Sequence, residues 1–255
     1  MKSIQIKRKL QKKKSILSII NNISTLDELI ISMSGNRDNA YSKKIINAFE
    51  ESLACRTKLD TKILEMQGLS GRKFRIFLNN LINCISNAKF LEIGSWLGST
   101  ACSVLYKNKV AITCIDNWSQ NFSKSLISKD EFTKNVSEFL NKNNNLTLIQ
   151  KDFRTVKFNN LENFNVFFYD GAHNYKDHYD SIKIVLPSLS KEFIMIIDDW
   201  NWEQVRKGTF ASITDEKLEV IFNLDIRTTR DNSSALVTGK SSDWHQGIGV
   251  FVVKK

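Results

Sequence analysis

Two apolar runs, Val166-Phe167-Phe168-Tyr169 and Phe193-Ile194-Met195-Ile196-Ile197, each lead straight into acid: the first into Asp170-Gly171-Ala172-His173, the second into Asp198-Asp199-Trp200. Three carboxylates brought together repel one another and raise one another's pKa unless a cation neutralises them. Oxygen ligands favour Mg²⁺, Mn²⁺ or Ca²⁺ over zinc. A hydroxyl bound to such an ion becomes more acidic, and a base of near-neutral pKa such as His173 can then take its proton. The bland alternative is that His173 and Asp199 simply cap the helices that follow them.

The acids meet only if the elements before them lie side by side. Apolar runs of this length bounded by polar residues read as strands buried on both faces of a parallel sheet. Between them, Tyr175, Tyr179, Ile182, Val185 and Leu186 have helical spacing, so the unit is strand, helix, strand. In open α/β sheets ligands bind beyond the carboxyl ends of the strands, where these acids would sit.

Upstream the same alternation continues. An amphipathic helix through Phe74, Phe77, Leu78, Leu81, Ile82 and Ile85 follows the break at Leu69-Ser70-Gly71. Strands are then predicted at Phe90 to Ile93, Val110 to Ile115 and Leu146 to Ile149, with helices from Ser99 to Tyr106 and through Phe132, Val136, Phe139 and Leu140. After Trp202 a helix is expected from Val205 to Ile213, and two β-rich stretches, Leu218 to Leu224 and Ile248 to Val253, read as an antiparallel hairpin. The expected fold is α/β, a doubly wound, mostly parallel seven-stranded sheet closed by that C-terminal hairpin.

Residues 1–68 read as a basic tail and a helical cap on a main domain of residues 69–255. Thr25 and Glu28 form a capping box ahead of Leu29 and Ile30, Ser34-Gly35-Asn36 ends that segment, and Tyr41, Ile45, Phe49 and Leu53 mark the face of a further helix. Seven cations between Lys2 and Lys14 account for most of the net charge of +10, so the body of the 255-residue chain is close to neutral. That distribution argues against a nucleic-acid partner, although a methyl-carrying enzyme reaching nucleic acid through its tail is kept as an alternative. The apolar part after the tail is too broken for a signal peptide, and no run nears the ~20 residues of a membrane span. Four cysteines without a C-x-x-C pair suit reduced thiols in the cytoplasm.

The first strand of the main domain leads into Leu91-Glu92-Ile93-Gly94-Ser95-Trp96-Leu97-Gly98-Ser99-Thr100, a glycine turn opening a helix. It lacks the third glycine of a dinucleotide fingerprint. The strands after it end in Asp116-Asn117-Trp118, where an acid can accept from both hydroxyls of a ribose, and in Gln150-Lys151-Asp152-Phe153, where an acid and an aromatic suit an adenine. Trp96, Trp118, Trp200 and Trp202 all follow strand ends and could wall a pocket, with Trp200 and Trp202 expected to touch the substrate. His178, on the helix, is read as surface or packing.

With these residues in register, the chain from Leu69 onward resembles the class I S-adenosylmethionine-dependent methyltransferases, whose fold is Rossmann-like. Within them it resembles the metal-dependent O-methyltransferases of the catechol, caffeoyl-CoA and macrolide-sugar types. The resemblance implies a cofactor, S-adenosylmethionine, held by Ser70, Gly71, Glu92, Gly94, Ser95, Gly98, Ser99, Asp116, Trp118, Asp152, Phe153 and Asp170. It also implies a divalent ion on Asp170, Asp198 and Asp199 that binds the acceptor hydroxyl. The catechol type has a lysine base three residues after the first acid; here His173 stands there, as in some sugar-type enzymes, so Asp170 and His173 are the implied catalytic pair. The expected acceptor is a small hydroxylated molecule, a sugar moiety before a phenol. A homo-oligomer and a non-catalytic cofactor-binding module both stay open.

Overall fold

A computed structural model describes residues 29–120, 128–161 and 163–255. The basic tail and the capping box at Thr25 lie outside them. In chain order the elements are β1 (Ile30–Gly35), α1 (Ala40–Leu53), α2 (Thr61–Leu64), α3 (Arg72–Asn83), β2 (Ala88–Ile93), α4 (Ser99–Leu105), β3 (Val110–Asp116), α5 (Ser128–Phe139), β4 (Asn144–Gln150), β5 (Phe164–Tyr169), α6 (Tyr175–Val185), β6 (Leu189–Ile197), α7 (Glu203–Asp215), β7 (Glu219–Arg227) and β8 (Ile248–Lys254).

The strands form one eight-stranded sheet in the order β1-β7-β8-β6-β5-β2-β3-β4. The five from β2 to β6 are parallel, and β8 enters antiparallel between β6 and β7. The expected doubly wound sheet with its C-terminal hairpin is therefore present, with one strand more than expected. That strand corrects the helical reading of the first 68 residues: Ile30 to Gly35 pairs antiparallel with β7 at the sheet edge. Its spacing alone did not reveal this, because an edge strand is stabilised by a partner almost 200 residues away rather than by its own periodicity. The helical reading holds for Ala40–Leu53, where Asn39 Oδ1 caps the N-terminus by accepting from the Tyr41 and Ser42 amides at 2.8 and 3.3 Å.

The two apolar runs are buried on both faces. Val166 and Phe168 of β5 and Ile194 and Ile196 of β6 enter the core beneath α1, α3 and α4, while Phe167, Tyr169, Phe193, Met195 and Ile197 enter the core beneath α6 and α7. Strands covered on both sides need no polar alternation, which is why the runs are continuous. The chain reverses its direction of winding between β2 and β5, which lie side by side. A crevice opens there at the carboxyl ends, and the acids after β3, β5 and β6 project around it.

Candidate functional site

A cavity of about 300 Å³ lies at this crevice, walled among others by Gly94, Ser95, Trp96, Ser99, Asp116, Trp118, Asp152, Phe153, Asp170 and His173. Its floor is the turn after β2. Gly94 takes a left-handed φ of 87°, and a Cβ there would lie 1.8 Å from the Asp170 carbonyl oxygen, so only glycine lets the two turns pass so closely. Asp116 Oδ2 accepts from the amides of Ser95 and Trp96 at 2.8 and 2.9 Å, and Oδ1 from the amide of Trp118 at 2.7 Å. Oδ2 is thereby filled, while Oδ1 keeps one lone pair for a ligand hydroxyl.

Glu92 does not reach the cavity. Fully buried under the turn, it accepts from Thr100 Oγ1, from Ser95 Oγ at 3.0 Å and from Cys114 Sγ at 3.2 Å, and burial pushes its carboxyl up to about 7. It shapes the loop from beneath. Gly98, likewise off the cavity wall, caps α4 in a left-handed conformation (φ 85°). Ser70 sits behind the wall, 2.9 Å from Ser99 Oγ, while Leu69 lines the cavity itself. Gly71 packs against the Asp243 backbone instead.

At the far side Asp152 caps the turn that follows it, accepting from the Arg154 amide at 2.9 Å. Phe153 lies edge-on to Tyr169, with the Arg154 guanidinium 4.5 Å from its centroid. Arg154 also pairs with Asp177 of α6. Sequence reasoning had passed over Arg154, although it directly follows the Asp152-Phe153 pair. Lys151, Asn117, Ser119 and Gln120 likewise line the cavity without having been singled out.

The acid rim closes the cavity on the β5 side. Asp170, His173 and Asp199 each offer a ligand atom within 4.8 Å of the others, and His173 Nε2 is 3.0 Å from Asp199 Oδ2. Burial works against the charged form of His173, but the hydrogen bond and charge of Asp199 outweigh it and raise its pKa. Asp198 is 1% exposed, and neither of its oxygens accepts a hydrogen bond. Burial pushes Asp170 and Asp198 well above the ordinary carboxylate range; the surrounding acids push Asp170 further and the Asp199 charge pushes Asp198 further, while the Asp199 backbone and the Asp170 side chain draw Asp198 part of the way back. Asp170, His173 and Asp199 offer two carboxylates and an imidazole close together, a donor set that a hard divalent cation would fit, with the unpartnered Asp198 carboxylate beside them.

The tryptophans divide. Trp202 is half-buried, lies with its ring tilted 51° to that of His173 at 4.9 Å and donates to Ser234 Oγ at 3.2 Å, which suits a wall on the acceptor side. Trp200 is not such a wall. It is completely buried between Phe210 and Phe251 at 5.7 and 5.4 Å, because the left-handed turn at Asp199 (φ 56°) sends its side chain into the core. His178 is buried against Tyr169 at 4.8 Å, and burial lowers its pKa to about 3. His245, unnoticed in the sequence because nothing periodic surrounds it, lies close enough to Asp199 and His173 to feel their charge.

Residues 91–200 match a family described as methyltransferase domain. No curated protein matches the chain. Among solved structures, a protein from Corynebacterium glutamicum superposes with a TM-score of 0.53 at 12% identity, covering 82% of this chain and 96% of that one. An O-methyltransferase from Bacillus cereus in complex with SAH gives 0.50 at 14% identity, over 84% and 91%. A chain from Streptococcus mutans gives 0.47 at 18% identity over 72% of this chain and 48% of that one, so the present chain spans about half its length. At such identities the likeness is one of fold.

Proposed function

From a chain that carries a methyltransferase domain in the class I methyltransferase fold, we propose an S-adenosylmethionine-dependent O-methyltransferase assisted by a divalent ion and acting on a small hydroxylated acceptor. The observation that carries the metal part is the rim itself: Asp170, His173 and Asp199 converge, with the unpartnered Asp198 close enough to raise the pKa of Asp170.

Asp116 would hold the ribose, Asp152 and Phe153 the adenine, and the Ser99 hydroxyl, backed by Ser70, would lie at the methionine end. The cofactor supplies an electrophilic methyl group. Asp170, Asp198 and Asp199 would hold a divalent ion, Mg²⁺ in the first instance with Mn²⁺ or Ca²⁺ as alternatives, which lends Lewis acidity to the acceptor hydroxyl. His173, whose Nε2–H is donated to Asp199 Oδ2 at 3.0 Å, would take the hydroxyl proton on its other ring nitrogen, Nδ1. Asp199 orients the ring, and Trp202, tilted against it, would shield the reacting oxygen from water.

A sugar hydroxyl is the preferred acceptor, because His173 stands where the catechol type has its lysine. Four free thiols, Cys102 and Cys114 among them buried, suit a reducing compartment such as the cytoplasm. No helix of the described residues is long and apolar enough to cross a membrane.

Calorimetric titration of the purified chain with S-adenosylmethionine and with Mg²⁺ tests the reading. Saturable binding of both is expected. A chain that takes no cofactor overturns it entirely, and one that takes the cofactor but transfers methyl undiminished in excess chelator overturns the metal.

A further inference from the structure

Arg75 stands on α3 between Phe74 and Ile76 and is completely buried, a cation inside the run that packs this helix on the sheet. A guanidinium in such a place is ordinarily paired with a carboxylate, because a buried charge without a counter-charge is costly. Among the described residues no carboxylate pairs with it. Glu65, whose charge it feels, is taken by Arg72 at 2.7 Å. Instead Nη1 donates to the carbonyls of Ile63, Leu64 and Met66 at 2.7, 3.2 and 2.8 Å. Carbonyls hold the guanidinium in place but do not neutralise it. Burial draws its pKa down to about 10, which still leaves it charged at neutral pH.

The remaining donors lead toward the cavity. Nε donates to Ser70 Oγ at 2.9 Å, and Ser70 Oγ lies 2.9 Å from Ser99 Oγ. Both serines are buried, and Ser99 lines the cavity. Nη2 is buried and makes no hydrogen bond. It meets Ser99 at Gly68, where an added Cβ would lie 2.2 Å from Ser99 Oγ and 3.1 Å from Nη2. A hydroxyl beside a cation turns its oxygen toward the charge and its hydrogen away. Ser70, which accepts from Nε, therefore directs its hydrogen to Ser99, and Ser99 directs its own onward into the cavity. The lysine and arginine on the cavity wall, Lys151 and Arg154, belong to the segment after β4. Behind the start of α4 the positive charge comes from Arg75.

We propose that Arg75 is a positioning residue for the cofactor: through Ser70 it turns the Ser99 hydroxyl into a fixed donor for the carboxylate of the methionine part, and so makes the site select cofactors that carry this carboxylate. The proposal rests on the cofactor reading above, which puts the methionine end at Ser99. The two hydroxyls are oriented before the ligand arrives, so binding does not have to order them. The low dielectric around the buried relay strengthens each of its hydrogen bonds. A carboxylate at Ser99 also supplies the negative charge that Arg75 lacks. Arg75 lies behind the cavity wall, so its influence passes through Ser70 and Ser99 and falls on binding rather than on methyl transfer.

The probes are S-adenosylhomocysteine and S-adenosyl-3-thiopropylamine, the same molecule without its carboxylate, titrated into the full chain and followed by calorimetry. The wild type is expected to bind the first about thirtyfold more tightly, the scale of a hydrogen bond to a charged group. In Arg75→Met that preference narrows to about threefold, while affinity for the amine changes by less than about twofold. Ser70→Ala leaves the contacts of Nη1 in place and cuts the relay at its middle, so it is expected to narrow the preference by a like factor. The double variant then narrows it no further than either change alone. Equal weakening of both probes in Arg75→Met would mean that Arg75 only shapes the segment from Ile63 to Ser70, and that outcome overturns the proposal. So does a preference left intact in Ser70→Ala, which decides the matter where Arg75→Met does not fold. A wild type that binds the two probes alike overturns the proposal and leaves the cofactor reading standing, whereas one that takes neither overturns both.

Discussion

The ends of β2 and β3 and the ends of β5 and β6 border one cavity but are built on opposite electrostatic plans. On the β2–β3 side every carboxylate oxygen is engaged: Asp116 receives three backbone amides, and Glu92 two hydroxyls and a thiol. On the β5–β6 side Asp198 receives nothing, and Asp170 and Asp198 are pushed toward protonation. The first region is finished by its own polypeptide and presents a preformed surface to a ligand. The second leaves its acids crowded and buried, which is the region the proposed ion would neutralise.

The sharpest way to break this contrast is Asp198→Ala. Turnover is expected to fall on the order of a thousandfold, the several kcal/mol that a Lewis acid contributes, while cofactor affinity is retained; steady-state rates and calorimetry together check both. The next effect concerns Glu92. Its folded pKa of about 7 lies above the ordinary 4.5, so between those values the folded chain holds a proton that the unfolded chain has released. Stability is therefore expected to fall as pH rises from 4.5 to 7 and to level off above, by about 3 kcal/mol in all. Urea denaturation at pH 5 and pH 8 measures this, and Glu92→Gln should flatten the profile.

Ion binding comes third. Mg²⁺ at a hundred times its Kd should stabilise the wild type by about 2.7 kcal/mol and Asp198→Ala hardly at all, read as thermal shifts. If both shift alike, the rim is not where the ion binds. Smallest is Asp116→Asn, which keeps the shape but weakens the charge-assisted contacts. Cofactor affinity should drop about tenfold, on the scale of one such hydrogen bond. A variant that binds the cofactor normally would mean that Asp116 serves only the turn.

Much of this was legible in the residues. The buried strands and their terminal acids are written locally, because a strand covered on both faces is a continuous apolar run and a ligand-facing acid must follow it. Gly94, Asp116 and Asp170 line the cavity, and Asp199 lies beside Asp170 and His173. Other features have no local signature. Ile30 to Gly35 is a strand only because β7 offers it an edge, Trp200 is core only because the backbone at Asp199 turns left-handed, and Glu92 supports the turn rather than lining the cavity because three donors close over it. Arg75 is the extreme case, since along the chain it is one more residue of an amphipathic helix, and its burial and its link to the cavity through two serines depend on segments it meets in space. Periodicity and strand-end chemistry are properties of neighbours along the chain, so the sequence by itself determined the fold class and the acids. Which face a side chain turns to, and which hydrogen bonds it has left to give, depend on neighbours in space, and only the tertiary structure decided those.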